Sequence, residues 1–267
     1  MGVQAGRRSG SRRPRNGVIR ARCLALIALL GLSARALAAP LPELLAALRP
    51  GVVGIASYDP LGAPRTVLGG TGFAVGDGRT IVTNAHVVHA SAGEAHGRLV
   101  VLVGRGEQAT IRPARLLRED RFHDLALLAI EGPPVPPLRL AAGSPPQEGE
   151  GVAFTGFPIG AVLGLYPVTH RGIISCVVPL AVPQAGTRTL SSAQLKRLNH
   201  PFEVFQLDAV AYPGNSGSPV YELAHGEVVA ILNSVLVKAA KESVLKDPSA
   251  IAYAIPVVHL KALLAGP

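Results

Sequence analysis

Pro213-Gly214-Asn215-Ser216-Gly217-Ser218-Pro219 places one serine inside a short turn flanked by glycines. Glycine reaches backbone angles closed to other residues, so such a turn can hold a hydroxyl rigidly beside inward-pointing amide N–H groups. That combination suits acyl transfer, in which each preorganised donor facing a tetrahedral oxyanion is typically worth about 3 kcal/mol. The amides of Gly214 and Ser216 are the candidate donors, and the expected oxyanion hole spans Gly214, Asn215 and Ser216.

A serine hydroxyl is a weak nucleophile near neutral pH and needs a base of suitable pKa, which imidazole supplies. His86, in Thr83-Asn84-Ala85-His86-Val87-Val88, is the candidate base. A carboxylate on the far ring nitrogen would fix its tautomer and stabilise the imidazolium. Asp124 suits that role because it opens the apolar run Leu125 to Ile130, expected to be a buried strand, where a charge needs a partner. Asp120 is the alternative carboxylate, set in the charged stretch Arg118 to Arg121. His86 and His89 could instead form a metal pair on a helix, but no carboxylate or cysteine completes the spacing, and no metal is expected. His96, His170, His200, His225 and His259 are read as surface or satisfied residues, with His170 a candidate to line a cleft.

With these residues in hand, the chain resembles the trypsin-like serine proteases of the chymotrypsin fold, and more closely the bacterial HtrA (Deg) protease domain. The matching segments are Gly70-Thr71-Gly72-Phe73, Thr83 to Val88, Asp124 to Leu128, Gly156-Phe157-Pro158-Ile159-Gly160, Gly172-Ile173-Ile174-Ser175, Asp208 to Pro219 and Tyr253-Ala254-Ile255-Pro256. They run from about Pro50 to Leu264 in the family's order, and it is their combination that is specific. The resemblance implies a triad of His86, Asp124 and Ser216, peptide-bond hydrolysis through an acyl-enzyme, and no cofactor. Two departures stand out: Ser218 occupies a position where the family more often has glycine, and the sequence stops at Pro267, so no PDZ module is expected.

The periodicity independently argues for an all-β fold. Residues 41 to 49 read as a short amphipathic helix, ended by Pro50-Gly51. Short β-rich runs follow, separated by Gly, Pro and Asp: Val52 to Ser57, Gly72 to Val75, Thr80 to Thr83, Leu99 to Val103, Ala109 to Leu117 and Leu125 to Ile130. A second set covers Gly151 to Gly156, Val168 to Val178, Glu203 to Leu207, Ser218 to Tyr221, Glu227 to Val235 and Ala250 to Ile255, ahead of a C-terminal helix. Two six-stranded antiparallel β-barrels are the economical reading. The expected organisation is a leader over 1–38, the N-terminal helix and first barrel over 39–130, a strap over 131–150 containing six prolines, and the second barrel and final helix over 151–267. The active site would lie in the cleft between barrels. An insertion, Pro179 to Pro201, is expected to carry a short helix over Ser192 to Leu198.

Residues 1–38 hold eight arginines and no acids, followed by an apolar stretch from Cys23 to Leu32 and the small residues Ala36-Leu37-Ala38, the pattern of a cleavable export signal. That stretch is shorter than the roughly 20 residues needed to span a bilayer, so no stable membrane anchor is expected after cleavage. Of 26 Lys+Arg and 17 Asp+Glu, 18 and 17 lie beyond the leader, so the basic balance belongs to the leader and argues against nucleic acid as a partner. Lys238, Lys241 and Lys246 read as a solvated loop. Only Cys176 of the two cysteines lies beyond the leader, so no internal disulfide is possible there. Within Ile173 to Val178 it is expected to be a buried structural cysteine, and the whole pattern suits a periplasmic protein.

In this fold the residues just before the nucleophile and a strand some 15 residues after it wall the specificity pocket. Here these are Val210 and Ala211, then Ile231, Leu232 and Asn233. None is acidic, and burying a cationic side chain without a partner would cost several kcal/mol, so cleavage after small or medium aliphatic residues is expected. The partners are then polypeptide substrates. Two functional classes follow: a serine endopeptidase acting on exported or misfolded proteins, or a non-catalytic or latent binding module on the same scaffold. An α/β-hydrolase would require the order Ser, Asp, His and a strand-turn-helix serine, and the chain has neither. Residues 39–50 carry no trimerising pattern, and a monomer is expected.

Overall fold

In a computed structural model, residues 1–2, 40–92, 97–158, 164–180, 201–233 and 251–266 are described. The leader, the insertion helix expected over Ser192 to Leu198, and the lysines at 238, 241 and 246 lie outside these residues.

The strands are β1 (Val52–Tyr58), β2 (Thr66–Val75), β3 (Thr80–Thr83), β4 (Arg98–Val103), β5 (Thr110–Asp120), β6 (Leu125–Ile130), β7 (Gly151–Gly156), β8 (Val168–Pro179), β9 (Glu203–Asp208), β10 (Pro219–Glu222), β11 (Val228–Asn233) and β12 (Ile251–Pro256). The helices among the described residues are α1 (Leu41–Leu48), α2 (Ala85–Ala92) and α3 (Val257–Ala265). The strands close into two antiparallel barrels, ordered β1-β2-β3-β6-β5-β4 and β10-β11-β12-β9-β8-β7. The two six-stranded barrels with short helices at either end are those expected from the sequence, and the residues between them form no strand beyond one bridge from Leu140 to Val228.

Each barrel has its own apolar filling: Val53, Ile55, Ile81, Val101 and Leu128 in the first, Phe154, Ile174, Leu207, Val220 and Leu232 in the second. A third cluster joins Phe73, Val82, Leu125 and Leu127 of the first barrel to Val204, Val228, Ile231 and Ile255 of the second. This seam explains why β11 reads as a continuous apolar run, since all six of its residues are buried, some inside the barrel and others between barrels.

The terminal helices cross the seam in opposite senses. α1 precedes the first barrel, yet its Leu44 packs with Ala153 and Tyr221 of the second. α3 follows the second barrel, yet packs against β5 and β6 of the first as well as β11 and β12. Arg118 of β5 donates to the Leu263 carbonyl of α3 at 3.2 Å.

Two β-bulges change what the sequence suggests. In β5 the register shifts between Leu116 and Arg118, and the strand continues to Asp120, beyond the expected end at Leu117. In β8 it shifts between Ile174 and Cys176, so the residue two beyond a buried isoleucine is no longer on the core face. Cys176 is accordingly half-buried, where a buried core cysteine was expected. Its thiol is pushed up by a hydrogen bond to Glu148, by burial and by the carboxylate's charge. The altered register, which composition does not reveal, is the reason.

Docking of α3 has a measurable pH signature. His259 stacks on His123 with centroids 3.9 Å apart and planes at 20°, and burial, together with the His123 charge, lowers it to about 4 against a partial opposing effect of Asp120. An unfolded histidine takes its proton near pH 6.5, so the unfolded state binds more protons between that pH and about 4. The contribution of neutral His259 is therefore complete above pH 6.5 and lost as pH falls towards 4. The expected outcome is that His259→Phe, which keeps the ring and removes the titration, is relatively more stable than wild type at pH 4.5 than at pH 7.5. The widening should be about 2 kcal/mol, allowing for solvent at the half-buried ring, and urea midpoints at the two pH values measure it.

Candidate active site

The imidazole of His86 stands at the first turn of α2, and its placement depends on the turn that ends β5. Asp124 lies in that turn with φ +56°, the left-handed region, and no other non-glycine residue among those described has a positive φ. Such a conformation costs about 1 kcal/mol or more and persists only where surrounding contacts fix it. The Asp124 carbonyl accepts from the Ala85 amide at 3.2 Å and from Asn84 Nδ2 at 3.0 Å. Its Oδ1 accepts from the His86 amide at 2.9 Å, and its Oδ2 lies 2.6 Å from His86 Nδ1. Asn233 Nδ2, from the second barrel, donates to the same Oδ2 at 2.8 Å. A carboxylate so engaged orients the ring and leaves Nε2 as the nitrogen directed elsewhere. The His86 side chain retains 28 % exposure, so the ring is not sealed in the core.

The turn bearing Ser216 is held by the first barrel. Thr71 of β2 donates from its amide to the Ser216 carbonyl at 2.8 Å and from Oγ1 to the Gly214 carbonyl at 2.7 Å. The same Oγ1 accepts from the Phe157 amide at 3.0 Å, and the Thr71 carbonyl accepts from Thr83 Oγ1 at 2.7 Å. Gly214 and Gly217 have φ +97° and +87°, as the glycine-flanked turn requires. A Cβ at Gly217 would stand 2.1 Å from the Thr71 carbonyl oxygen. At Gly70 a Cβ would meet Val87 Cγ1 at 2.7 Å and the Ser216 carbonyl oxygen at 3.0 Å, so the Ser216 turn and the helix carrying His86 approach across Gly70 itself.

The residues expected to form the hole and the pocket lie in the Ser216 turn and along the barrel seam. The Asn215 amide donates to the Tyr212 carbonyl at 3.0 Å, closing the turn, so it is engaged inside the turn, while Gly214 and Ser216 flank it. Of the expected pocket walls, Val210 and Ala211 are half-buried. Ile231 and Leu232 are fully buried, the first in the seam and the second inside the barrel, because β11 is covered on both faces. Asn233 is buried and turned to Asp124. Residues 234–250 lie outside the described set.

Other sequence candidates fall elsewhere. Asp120, the alternative carboxylate, pairs with His123 and caps the amides of Phe122 and His123. Burial pushes its carboxyl up, but these bonds and the His123 charge outweigh it and hold it low. His89 lies 2.7 Å from Glu119 and is exposed. His170 stacks on Phe154 with centroids 4.9 Å apart, and burial lowers its pKa. Among the described residues no group of three His, Cys, Asp or Glu could hold a metal ion.

This arrangement can be set beside known proteins. Residues 70–231 match the family model of the trypsin-like peptidase domain. The chain belongs to the trypsin-like peptidase family. Over 203 residues, 76 % of its length, the chain is 30 % identical to a protein named serine protease HTRA2, mitochondrial, of Drosophila willistoni. That alignment covers 39 % of the relative, so the chain spans about two-fifths of the length of the curated relatives it matches. Among solved structures, the active form of the Rv3671c protease of M. tuberculosis superposes with a TM-score of 0.60 at 25 % identity, covering 83 % of this chain and 82 % of that one. The serine endoprotease from Yersinia pestis gives 0.58 at 23 % identity, covering 85 % and 65 %, a likeness of fold.

Two residues stood in recognised motifs without a role assigned to them. Thr71 clamps the serine turn, and Asn84 supports the aspartate turn; the signal that could have found them is a small polar residue within strand β2 and another between strand β3 and helix α2. Thr71→Val keeps the side-chain shape but removes both Oγ1 bonds. The expected outcome is a loss of about 1–3 kcal/mol in unfolding free energy, with Thr71→Ser near wild type. Gly217→Ala should cost more, since it combines a positive φ with a backbone clash. Denaturant titration ranks the three variants.

Proposed function

We propose that the chain is a serine endopeptidase using Ser216, His86 and Asp124. The supporting observation is the carboxylate of Asp124, which lies 2.6 Å from His86 Nδ1 while Thr71 holds the Ser216 turn against the same end of the first barrel. In this reading Ser216 Oγ attacks the scissile carbonyl carbon and its proton passes to His86 Nε2. The amides of Gly214 and Ser216 receive the oxyanion. Collapse breaks the C–N bond, His86 gives its proton to the leaving amine, and an ester remains on Ser216. Water, deprotonated by His86, then hydrolyses the ester and restores the serine.

The substrates in this proposal are exported or misfolded polypeptides cleaved after small or medium aliphatic residues. What supports the preference is the half-buried pair Val210 and Ala211 before Ser216, neither of which offers a carboxylate to a basic side chain. The arginine-rich, then apolar, then small-residue pattern of residues 1–38 supports export to the bacterial periplasm. Among the described residues no helix is long and apolar enough to cross a membrane.

A fluorophosphonate probe should label the wild type and fail to label Ser216→Ala. Absence of wild-type labelling across pH 6 to 9 would instead support a binding module or a latent state. A positional peptide library on labelled protein should favour Ala, Val or Leu before the cut, and a dominant preference for Arg or Lys would overturn the proposed specificity.

A further inference from the structure

Three rings, those of Phe122, Phe202 and His259, enclose His123, the residue just before Asp124. His123 Nδ1 lies 2.5 Å from Asp120 Oδ2, and the amides of Phe122 and His123 both donate to Asp120 Oδ1, so the turn is tied to the end of β5. The His123 ring stacks on His259 of α3 at 3.9 Å, meets Phe202 edge-on at 4.7 Å, and meets Phe122 edge-on at 4.8 Å. His259 also contacts Phe202, at 5.2 Å and 70°. The cage thus draws on the β5–β6 turn, the residue before β9, and the C-terminal helix.

The peptide joining His123 to Asp124 leads directly into the left-handed backbone of Asp124. That conformation is not self-sustaining, and the direction of the carboxylate follows the setting of this one peptide. On one side it is fixed by Asn84 and Ala85 at the Asp124 carbonyl. On the other the cage fixes the ring of the preceding residue. Simple core packing would account for buried rings, but not for their gathering on the residue adjacent to the only strained non-glycine position among those described.

We infer that His123 and His259 are positioning residues for Asp124: the C-terminal helix, by stacking His259 on His123, sets the turn from which the carboxylate reaches His86. This rests on the triad reading of His86, Asp124 and Ser216. A displacement of about 1 Å at a group of this kind can lower a rate by roughly two orders of magnitude. The charged groups around the stack have their own partners: Arg121 and His89 engage Glu119, and Arg118 reaches the Leu263 carbonyl farther along α3. Asp120 is the carboxylate facing the stack; β6 and β11 contribute no titratable side chain, and β12 contributes Tyr253.

The test compares wild type, His259→Ala and His259→Phe in the full chain. The readouts are the second-order rate of labelling by a fluorophosphonate between pH 5 and 9 and the low-field proton resonance of the His86 Nδ1–H. His259→Ala should label about 10-fold more slowly, with the acid limb of its profile moved to lower pH, as for an imidazolium that has lost its carboxylate partner, and with a weakened low-field signal. His259→Phe, which keeps the stack, should stay within about twofold of wild type. An alanine variant with a lowered melting temperature but unchanged rate, acid limb and resonance would overturn the inference, as would a folded His259→Phe as impaired as the alanine. If His259→Ala does not fold, His123→Asn takes its place, retaining a donor for Asp120 without a ring, with the same expectations. Should the wild type resist labelling, the triad reading fails on its own account and the resonance decides: its loss in His259→Ala sustains the positioning role, and its persistence refutes it.

Discussion

The carboxylate of Asp124 is the constraint on which the rest of the site depends. It sits in a left-handed conformation that L-residues adopt at a cost, and both of its oxygens are engaged. The His86 amide and ring come from the first barrel, while Asn233 comes from the second, so this single group measures whether the two barrels are correctly docked. The carboxylate is partly buried, and a charge withdrawn from water depends on such partners to offset its lost hydration.

The serine turn is held by the converse arrangement. There a second-barrel turn is bonded by a first-barrel residue, Thr71, through its amide to Ser216 and through its hydroxyl to Gly214. The two sets of bonds run across the seam in opposite directions, and the terminal helices repeat the pattern on a larger scale: α1 packs on the second barrel and α3 reaches back to the first. Between them lies an apolar cluster drawn from both barrels, which supplies the non-directional attraction while the polar bonds set the register.

The family resemblance accounts for the motifs that carry His86, Asp124 and Ser216 and leaves open how this chain supports them. Asn233 on the aspartate and the ring cage behind it are features of this structure. So is the Asx turn of Asp120, which makes the alternative carboxylate the brace of the turn that carries Asp124.

Strand periodicity, turn residues and the proline-rich connection were legible in the sequence because each is a local property of the chain: a β-strand alternates over a few residues, and a glycine turn announces its backbone angles. The residue types His86, Asp124 and Ser216 were legible for the same reason, since each lies in a short motif. What sequence reading missed depends on register and on contacts between distant segments. Asn233 belonged to a strand expected to wall a pocket, but only the docking of β11 against the first barrel decides that its amide meets Asp124. Ile231 lies in the seam and Leu232 inside the barrel, and such burial on both faces of a strand is decided by the neighbouring barrel. The bulges in β5 and β8 each involve one unpaired residue, and that local slip moved Cys176 off the core face and carried β5 to Asp120. The chain alone therefore determined the architecture and the motifs of the candidate site, through properties that span a few residues. The tertiary structure decided which polar groups meet, because hydrogen bonds across a seam depend on positions to within a few tenths of an ångström that no short segment encodes.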